Sequence, residues 1–495
     1  RHREVSETGR KTQKRPERHR SGITESVAGN NRGVNLSMKV QLYDKSKIEW
    51  DHLTFSNMDL RRLIIPLMIE QFLNSLMGMA DTMMVSRAGE AAISAVSLVD
   101  AVNILITQVF TALATGGTII CAQYIGRKDE KESNRAARQV VWTVFVISMA
   151  ISIVCVAFRR PLLALIFGKV EKEVMTNSIT YMWITACSFP FIALFQAGAA
   201  FFQASGDSRF PMTVSVISNI INIVGNAILI FGFHMGVAGA AYSTLVSRIF
   251  CMAVVFVRLR QPRQMIVINN LLKIRPESAL IKKILAIGIP SGIENGMFQF
   301  GKLAIQSSVS TLGTVAIAAQ AMASTLENMN GIAAIGIGIG MMTIVGQCLG
   351  AGKKEEAKYY IVKLSVIAEF VIIASCLLVL ALTKPVLFFG KMSAAGTQMC
   401  WEMMCAITIV KPLVWVFAFV PPYGMRAAGD VKYSMILSMI VMWGCRVALA
   451  TFLIRGCGMG PMAVWIGMFA DWTIRGLLYS RRYLSGKWMQ HKVID

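Results

Sequence analysis

Charged side chains are scarce in this sequence: they make up 16% of its 495 residues, whereas 55% of the residues are hydrophobic. A soluble globular domain carries about 25% charged residues, so the composition excludes an ordinary water-soluble protein. Uncharged stretches of about 20 residues, the length that spans a bilayer as a helix, recur across residues 63–478. They do not alternate as the strands of a transmembrane barrel do. We therefore predict an all-α polytopic membrane protein.

Histidine and paired cysteines are also scarce. Of the five histidines, only His234 lies between hydrophobic segments, and the ten cysteines form no C-x-x-C motif. These absences argue against a zinc site and against a disulfide framework. The chain also lacks an H-E-x-x-H motif, a Ser/His pair or clustered intramembrane aspartates, which a membrane-embedded enzyme would need. We expect neither enzymatic activity nor a cofactor.

Residues 1–60 form a polar tail with a basic segment at 9–20. The tail has no apolar core of about 7–15 residues, so it is neither a cleaved signal nor a spanning helix. We expect it to be disordered or interfacial. The first methionine is Met38, and we interpret residues 1–37 as an extension from a misassigned start. The alternative is a native basic tail that touches anionic lipid.

Charge, glycine and proline clusters divide the remaining chain into twelve apolar spans. In chain order they lie near 61–84, 92–122, 138–158, 177–202, 211–232, 237–257, 283–307, 314–346, 359–383, 400–424, 433–454 and 461–480. The formal charge of +22 comes largely from the loops between them, which indicates membrane topology rather than nucleic-acid binding. Loops on the side of the N-terminus carry more than twice as many Lys and Arg residues as the opposite loops. This asymmetry predicts a plasma-membrane protein with both termini in the cytoplasm.

The two halves of the chain form an internal repeat at an offset of 224 residues. In that register Pro66 falls on Pro290 and Gln123 falls on Gln347. Because each half has an even number of spans, both halves share one orientation, which is a parallel repeat. We predict two six-helix lobes, an N-lobe at 61–257 and a C-lobe at 284–480, joined by a cytoplasmic linker at 258–283 and followed by a tail at 481–495.

Span 1 carries two acids, although an intramembrane charge costs about 2.5–3.5 kcal/mol. Glu70, Asn74, Met77 and Asp81 follow one helix face, which must therefore face protein or water. We interpret this face as part of a cation or proton site. The alternative is that the two acids reach headgroups at opposite ends of the helix.

Spans 5 and 7 carry polar faces of the same kind. These are Asn219, Asn222 and Asn226 in span 5, and Asn295, Gln299, Lys302 and Gln306 in span 7. The asparagines predict either interhelical hydrogen bonds or ligands for a hard cation. Glu294, the repeat equivalent of Glu70, is expected either to pair with Lys302 or to act in transport. Arg248, Lys411 and Asp471 also lie within spans, without an assignable role.

Six segments resemble motifs of the multidrug and toxic compound extrusion (MATE) family of cation-coupled exporters. They are MGMADTMMVSRAG (77–89), CAQYIGRKD (121–129), FFQASGDSRFP (201–211), GVAGAAYST (236–244), VGQCLGAGKKEEA (345–357) and RAAGD (426–430). The resemblance covers essentially all of 60–480. It implies a bacterial antiporter that works as a monomer and exports organic compounds by alternating access, driven by H⁺ or Na⁺.

The DinF-like members of that family have a polar cluster in the N-lobe. Asp81, Tyr181, Asn222, Asn226 and Thr244 occupy the similar places here. The resemblance therefore implies a cation-coupling site at these residues, with Asp81, Asn222 and Asn226 as ligands if the ion is Na⁺. Asn226 stands where some relatives have Asp, which leaves Asp81 as the principal charge and puts a two-carboxylate proton relay in doubt.

The NorM-like pattern fits less well. Glu294 matches an acid of those relatives, but Lys411 lies in span 10 where they carry Asp. We expect a substrate cavity between the lobes, lined by Glu70, Asn74, Met77, Glu294 and Gln299. Because these acids have no strong opposing charge in the sequence pattern, the substrate is expected to be an amphipathic organic cation. The alternative is a flippase for lipid-linked oligosaccharides or other lipids of the same superfamily; a purely structural or signalling protein would not need matched intramembrane acids.

Overall fold

The computed structural model describes residues 42–87, 89–168, 171–269, 275–390 and 392–494. The predicted start-site extension at 1–37 and Met38 lie outside the described residues. The N-lobe has six spans: span 1 (Asn57–Ser86), span 2 (Glu90–Gly126), span 3 (Glu130–Ala157), span 4 (Lys172–Cys187 and Phe189–Ala204), span 5 (Arg209–Asn226 with the π-helical turn Ala227–Gly232) and span 6 (Gly236–Leu259). The C-lobe has six more: span 7 (Ser278–Val309), span 8 (Thr314–Gly350), span 9 (Lys354–Phe389), span 10 (Ala394–Phe419 with Pro421–Ala427), span 11 (Val431–Val441 with the π-helical turn Met442–Val447 and Ala448–Arg455) and span 12 (Met462–Leu484). Within these ranges the chain forms helices and no strand, so the all-α prediction is confirmed.

Length and apolarity identify most of the spans as membrane-crossing helices. Nine of the described helices pass this test alone, and a tenth span results if the two halves of span 4, bent by 43° near Ser188, count as one. Spans 7 and 12 complete the set of twelve. Both carry intramembrane charges, among them Lys302 in span 7 and Arg475 in span 12.

The internal repeat is visible in the helix boundaries. Span 2 runs from Glu90 to Gly126 and span 8 from Thr314 to Gly350, so both ends are shifted by the offset read from the sequence. Both helices are preceded by a glycine with positive φ, 110° at Gly89 and 88° at Gly313. Glycine adopts this conformation without the steric cost that other residues have. The same turn therefore introduces the second helix of each lobe.

The two lobes contact each other closely near one end. A Cβ on Gly336 of span 8 would lie 2.8 Å from the backbone nitrogen of Met68 in span 1, and one on Gly116 of span 2 would lie 3.0 Å from the carbonyl oxygen of Ile284 in span 7. Small residues permit this approach between membrane helices. These contacts involve the first halves of spans 1 and 7 and the last halves of spans 2 and 8, and they close the space between the lobes at that end.

The segment before span 1 is ordered where the structure describes it. Tyr360 of span 9 accepts a hydrogen bond from the Phe55 nitrogen and donates one to the Phe55 carbonyl, at 3.1 and 2.7 Å. Nearby, the Thr54 nitrogen donates to Glu356 at 2.5 Å, and Lys353 donates to the carbonyl of His52 at 2.8 Å. Of the two alternatives expected for the tail, disordered or interfacial, disorder is therefore wrong for residues 42–56, because the C-lobe supplies partners for their backbone.

Candidate functional site

A cavity of about 770 Å³ lies between the two lobes. Of the residues predicted to line it, Glu70, Asn74, Glu294 and Gln299 do so. Met77 was also predicted here, but it is not one of the described residues that form the wall. It follows Asn74 by three residues in span 1 and is half-buried.

Asp81 belongs to a hydrogen-bonded cluster inside the N-lobe. The Asn226 amide donates to Asp81 Oδ1 at 2.8 Å and to Asn222 Oδ1 at 3.1 Å. The Asn222 amide in turn donates to the Thr244 hydroxyl at 3.2 Å. Spans 1, 5 and 6 thus bring together four of the five predicted coupling residues. The described residues that line the cavity between the lobes include none of these four.

Asp100 of span 2 is a second N-lobe carboxylate that the sequence reasoning missed. It accepts hydrogen bonds from Tyr181 at 3.2 Å and from Asn103 at 3.1 Å, so Tyr181 bonds to Asp100 rather than to the four residues of the cluster. Asp100 and Asp81 are within electrostatic range of each other and of Arg248. The sequence feature that could have identified Asp100 is its position as an acid within the predicted span 92–122. The N-lobe therefore has a second carboxylate besides Asp81, on span 2 rather than at position 226.

Arg248 supplies the positive charge of this cluster. Its guanidinium donates at 2.6 Å to the hydroxyl of Ser188, which lies at the bend of span 4. The hydroxyl itself donates to the carbonyl of Thr185 at 2.6 Å. Arg248 therefore bonds to the bend of span 4 and interacts electrostatically with the two acids. One cation beside two carboxylates leaves a net negative charge when both are ionised, which suits the binding of H⁺ or a hard cation.

Glu70 lies at the N-lobe side of the cavity and is 7% exposed. Ser215 of span 5 donates to its Oε1 at 3.2 Å, and its Oε2 has no hydrogen-bond partner among the described residues. A buried oxygen without a partner costs free energy unless water or a ligand satisfies it. Glu70 thus does not reach a headgroup, and it can receive a donor from the cavity.

The two C-lobe acids that line the cavity, Glu294 and Glu327, are paired with cations. Glu294 accepts from Arg426 at 2.7 Å and from Ser438 at 2.6 Å, and it does not pair with Lys302. Arg426 comes from the RAAGD segment, whose charge the sequence reasoning did not connect with Glu294. The premise that acids without opposing charge line the cavity is therefore wrong for Glu294, whereas Glu70 has no cationic partner among the described residues.

Lys411 and Asp471 also lie in close ion pairs. Lys411 is fully buried and contacts Glu327 of span 8 at 2.6 Å. Asp471 is fully buried and contacts Arg475 one turn later at 2.8 Å. Each of these buried charges therefore has a partner of opposite sign close by, and position 411, where the NorM-like pattern would need an acid, carries a paired lysine.

Comparison with known proteins gives the same family for both halves of the chain. The MatE family model matches residues 66–228 and again 290–452. The chain is 28% identical over 433 residues to "Uncharacterized transporter YisQ" of Bacillus subtilis, covering 86% of this chain and 93% of that protein. It is 26% identical over 444 residues to "Probable multidrug resistance protein NorM" of Thermotoga maritima, covering 88% and 94%.

A solved structure shares the fold. The structure titled "Crystal structure of MATE in the straight conformation" superposes with a TM-score of 0.81 and covers 91% of this chain and 99% of its own, at 20% sequence identity. The two-lobe architecture predicted from the internal repeat is therefore confirmed by the fold as well as by the helix boundaries.

Proposed function

The chain belongs to the MatE family of membrane transporters, and from that premise we propose that it exports small organic compounds in exchange for H⁺ or Na⁺. It is a transporter and not an enzyme. The proposal has two parts, a cavity between the lobes that carries the exported compound and a separate N-lobe cluster that binds the driving ion. Multidrug resistance proteins among its relatives support the first part.

The hydrogen bond between Asn226 and Asp81 is the main observation that supports an ion-binding site in the N-lobe. Span 1 contributes Glu70 and Asn74 to the cavity wall and Asp81, about three turns later, to the N-lobe cluster. A proton or Na⁺ bound at Asp81 competes with the Asn226 amide for the carboxylate. A ligand shifts a conformational equilibrium only if it binds the two conformations of the protein with different affinities. The ion would meet this condition if it rearranges the contact between span 1 and Asn226, and ion entry would then be coupled to substrate release.

The oxygen atoms of the cluster suit either ion. Either carboxylate, Asp81 or Asp100, can bind a proton, or Asp81, Asn222 and Asn226 can supply carboxylate and amide oxygens to Na⁺, which is a hard cation. We place the coupling site in the N-lobe, as in the DinF-like pattern, because the carboxylates Glu294, Glu327 and Asp471 already have cationic partners.

The direction of the cavity follows from the proposed topology. If both termini are cytoplasmic, the end at which spans 1, 2, 7 and 8 bring the lobes together faces the cytoplasm. The cavity then opens to the outside, and the described conformation is the one in which an exported compound leaves. We further propose that a single copy of the protein in the plasma membrane suffices for transport, because both lobes that line the cavity belong to one chain.

The test is efflux of ethidium from proteoliposomes under a pH gradient or a Na⁺ gradient, imposed separately. We expect one gradient to drive efflux by the parent protein and Asp81→Asn to abolish it. Glu402→Gln, which removes an exposed acid on span 10, is the matched control and should retain efflux. Gradient-driven efflux that persists in Asp81→Asn would move the coupling site to Glu70, and flux that ignores both gradients would overturn the proposal in favour of a flippase.

A further inference from the structure

The C-lobe wall of the cavity has more cations than carboxylates. In the wall or directly behind it lie five cations, Lys302, Lys411, Arg426, Arg446 and Arg475, and three carboxylates, Glu294, Glu327 and Asp471. Each carboxylate lies 2.6–2.8 Å from one cation. After this pairing, Lys302 and Arg446 remain without a close carboxylate partner among the described residues.

Arg446 is buried but incompletely satisfied. It is 6% exposed, and its Nε has no hydrogen-bond partner within the described ranges. The nearest carboxylate oxygen, Asp471 Oδ2, is 3.9 Å from Nη1, which is too far for a hydrogen bond. The other oxygen of Asp471 is engaged by Arg475. Arg446 lies in a π-helical turn of span 11, a feature that often marks functional sites in helices.

Lys302 lines the cavity together with Arg446 and is exposed. The Lys302 ammonium is 5.0 Å and the Arg446 guanidinium 5.3 Å from the centre of the same Phe298 ring. The ring stabilises both cations but does not remove their mutual repulsion. An anion that contacts both would neutralise that repulsion and supply the acceptor that the Arg446 Nε lacks.

The surroundings of this pair are apolar and adaptable. The same wall includes Met439, Met442, Met468, Phe419 and Trp472. Methionine and aromatic side chains accommodate varied hydrophobic bodies. A ligand that fits here therefore has an apolar body and one anionic group.

We propose that Lys302 and Arg446 form a subsite for the anionic group of an amphipathic substrate, a carboxylate, sulfonate or phosphate. The subsite rests on the proposed function, since it specifies what the transport cavity accepts. It also replaces the expectation of a purely cationic substrate: an acid, Glu70, faces the cavity from the N-lobe, and two cations without a hydrogen-bonded carboxylate, Lys302 and Arg446, face it from the C-lobe.

The experiment compares two probes that differ by one charge. Rhodamine B carries a free carboxylate, whereas its ethyl ester does not. Their binding to the full-length protein in phosphatidylcholine nanodiscs is measured by fluorescence polarisation, without any ion gradient. We expect Lys302→Met to weaken binding of rhodamine B by about tenfold, which corresponds to about 1.4 kcal/mol, with little change for the ester. The Lys302→Arg variant keeps the positive charge and should bind rhodamine B about as well as the parent protein does.

The controls separate this subsite from general effects. Lys384→Met removes a cation of span 9 that packs on Trp401 outside the cavity wall, and it should leave both probes unchanged. If the Arg446→Gln variant folds, it should weaken rhodamine B binding as Lys302→Met does. If it does not fold, the binding measured with Lys302→Met alone tests the subsite. Equal weakening of both probes by Lys302→Met, or no weakening of rhodamine B, would overturn the subsite. Because binding needs no gradient, this result is independent of the ethidium efflux that tests the proposed function.

A second arm identifies the source of the anion. Fluorescent phosphatidylglycerol is incorporated into proteoliposomes, and its movement between leaflets is followed by dithionite quenching. Loss of lipid movement in Lys302→Met would support the subsite with a lipid phosphate as its ligand. Unchanged lipid movement together with weakened rhodamine B binding would support it with a soluble amphiphile.

Discussion

Gln123 and Gln347, which occupy equivalent positions in the repeat, each donate a hydrogen bond to a backbone carbonyl of the opposite lobe. Gln123 donates to Ala427 at 2.7 Å and Gln347 donates to Ala204 at 2.6 Å. The two acceptors also correspond to each other, since they begin the segments AAGD and ASGD. The pair therefore joins the lobes at their closed end by two equivalent contacts, and both would have to break in the proposed alternating-access cycle.

Removal of these amides should favour separation of the lobes at that end. A net hydrogen bond contributes about 0.5–1.5 kcal/mol, so Gln123→Ala with Gln347→Ala should shift the equilibrium by about 1–3 kcal/mol. The measurement is the distance between spin labels placed in the loops 127–129 and 351–353, where we expect a new, longer population. Gln398→Ala, which removes an exposed glutamine bonded to Glu402, should leave the distances unchanged. A double variant with the distances of the parent would contradict this role.

Gly126 and Gly350 allow the backbones of the two lobes to approach each other at the same contact. A Cβ on Gly126 would collide with the backbone carbonyl of Gln347, and one on Gly350 would collide with that of Gln123. Backbone atoms cannot move aside as a flexible side chain can. We therefore expect Gly350→Ala to prevent the lobes from closing at this end and to reduce efflux strongly, although each lobe folds.

The matched control for this variant is Gly296→Ala in span 7. A Cβ on Gly296 would have no heavy atom within 4 Å, so this variant should transport normally. Efflux and spin-label distances are measured on both proteins. Normal efflux by Gly350→Ala would show that the close approach seen here is not needed during the cycle.

The sequence predicted the architecture well because length, hydropathy and a repeat register are properties of the chain itself. The shift of span 2 onto span 8 is an example. The side-chain pairs were predicted less well because they depend on contacts between distant segments. Arg426 reaches Glu294 across 132 positions, and a lysine eight positions from Glu294 was a plausible partner by spacing alone.

Asp100 should act together with Asp81 in coupling. Asp100→Asn keeps an oxygen that can accept from Tyr181 but removes the charge beside Asp81 and Arg248. Coupling between sites is typically about 1–3 kcal/mol, or about 5–150-fold, so we expect gradient-driven efflux to fall at least about fivefold. The measurement is the initial rate of ethidium efflux under the driving gradient found for the parent, with downhill ethidium flux as the reference. If Asp100→Asn couples as the parent does, Asp81 alone binds the ion.

The buried pair of Lys411 and Glu327 should contribute stability rather than transport chemistry. Lys411 is fully buried and donates to both the carboxylate and the carbonyl of Glu327, at 2.6 and 3.0 Å. Loss of one partner of a buried pair costs about 3–5 kcal/mol, whereas an isosteric neutral replacement of both is often tolerated. We expect Lys411→Met to lower the unfolding temperature of the purified protein markedly, and Lys411→Met with Glu327→Gln to recover most of the loss. Because the expected defect is one of folding, the double variant should also recover efflux. A stable double variant without efflux would instead assign Glu327, which lines the cavity, a direct part in transport.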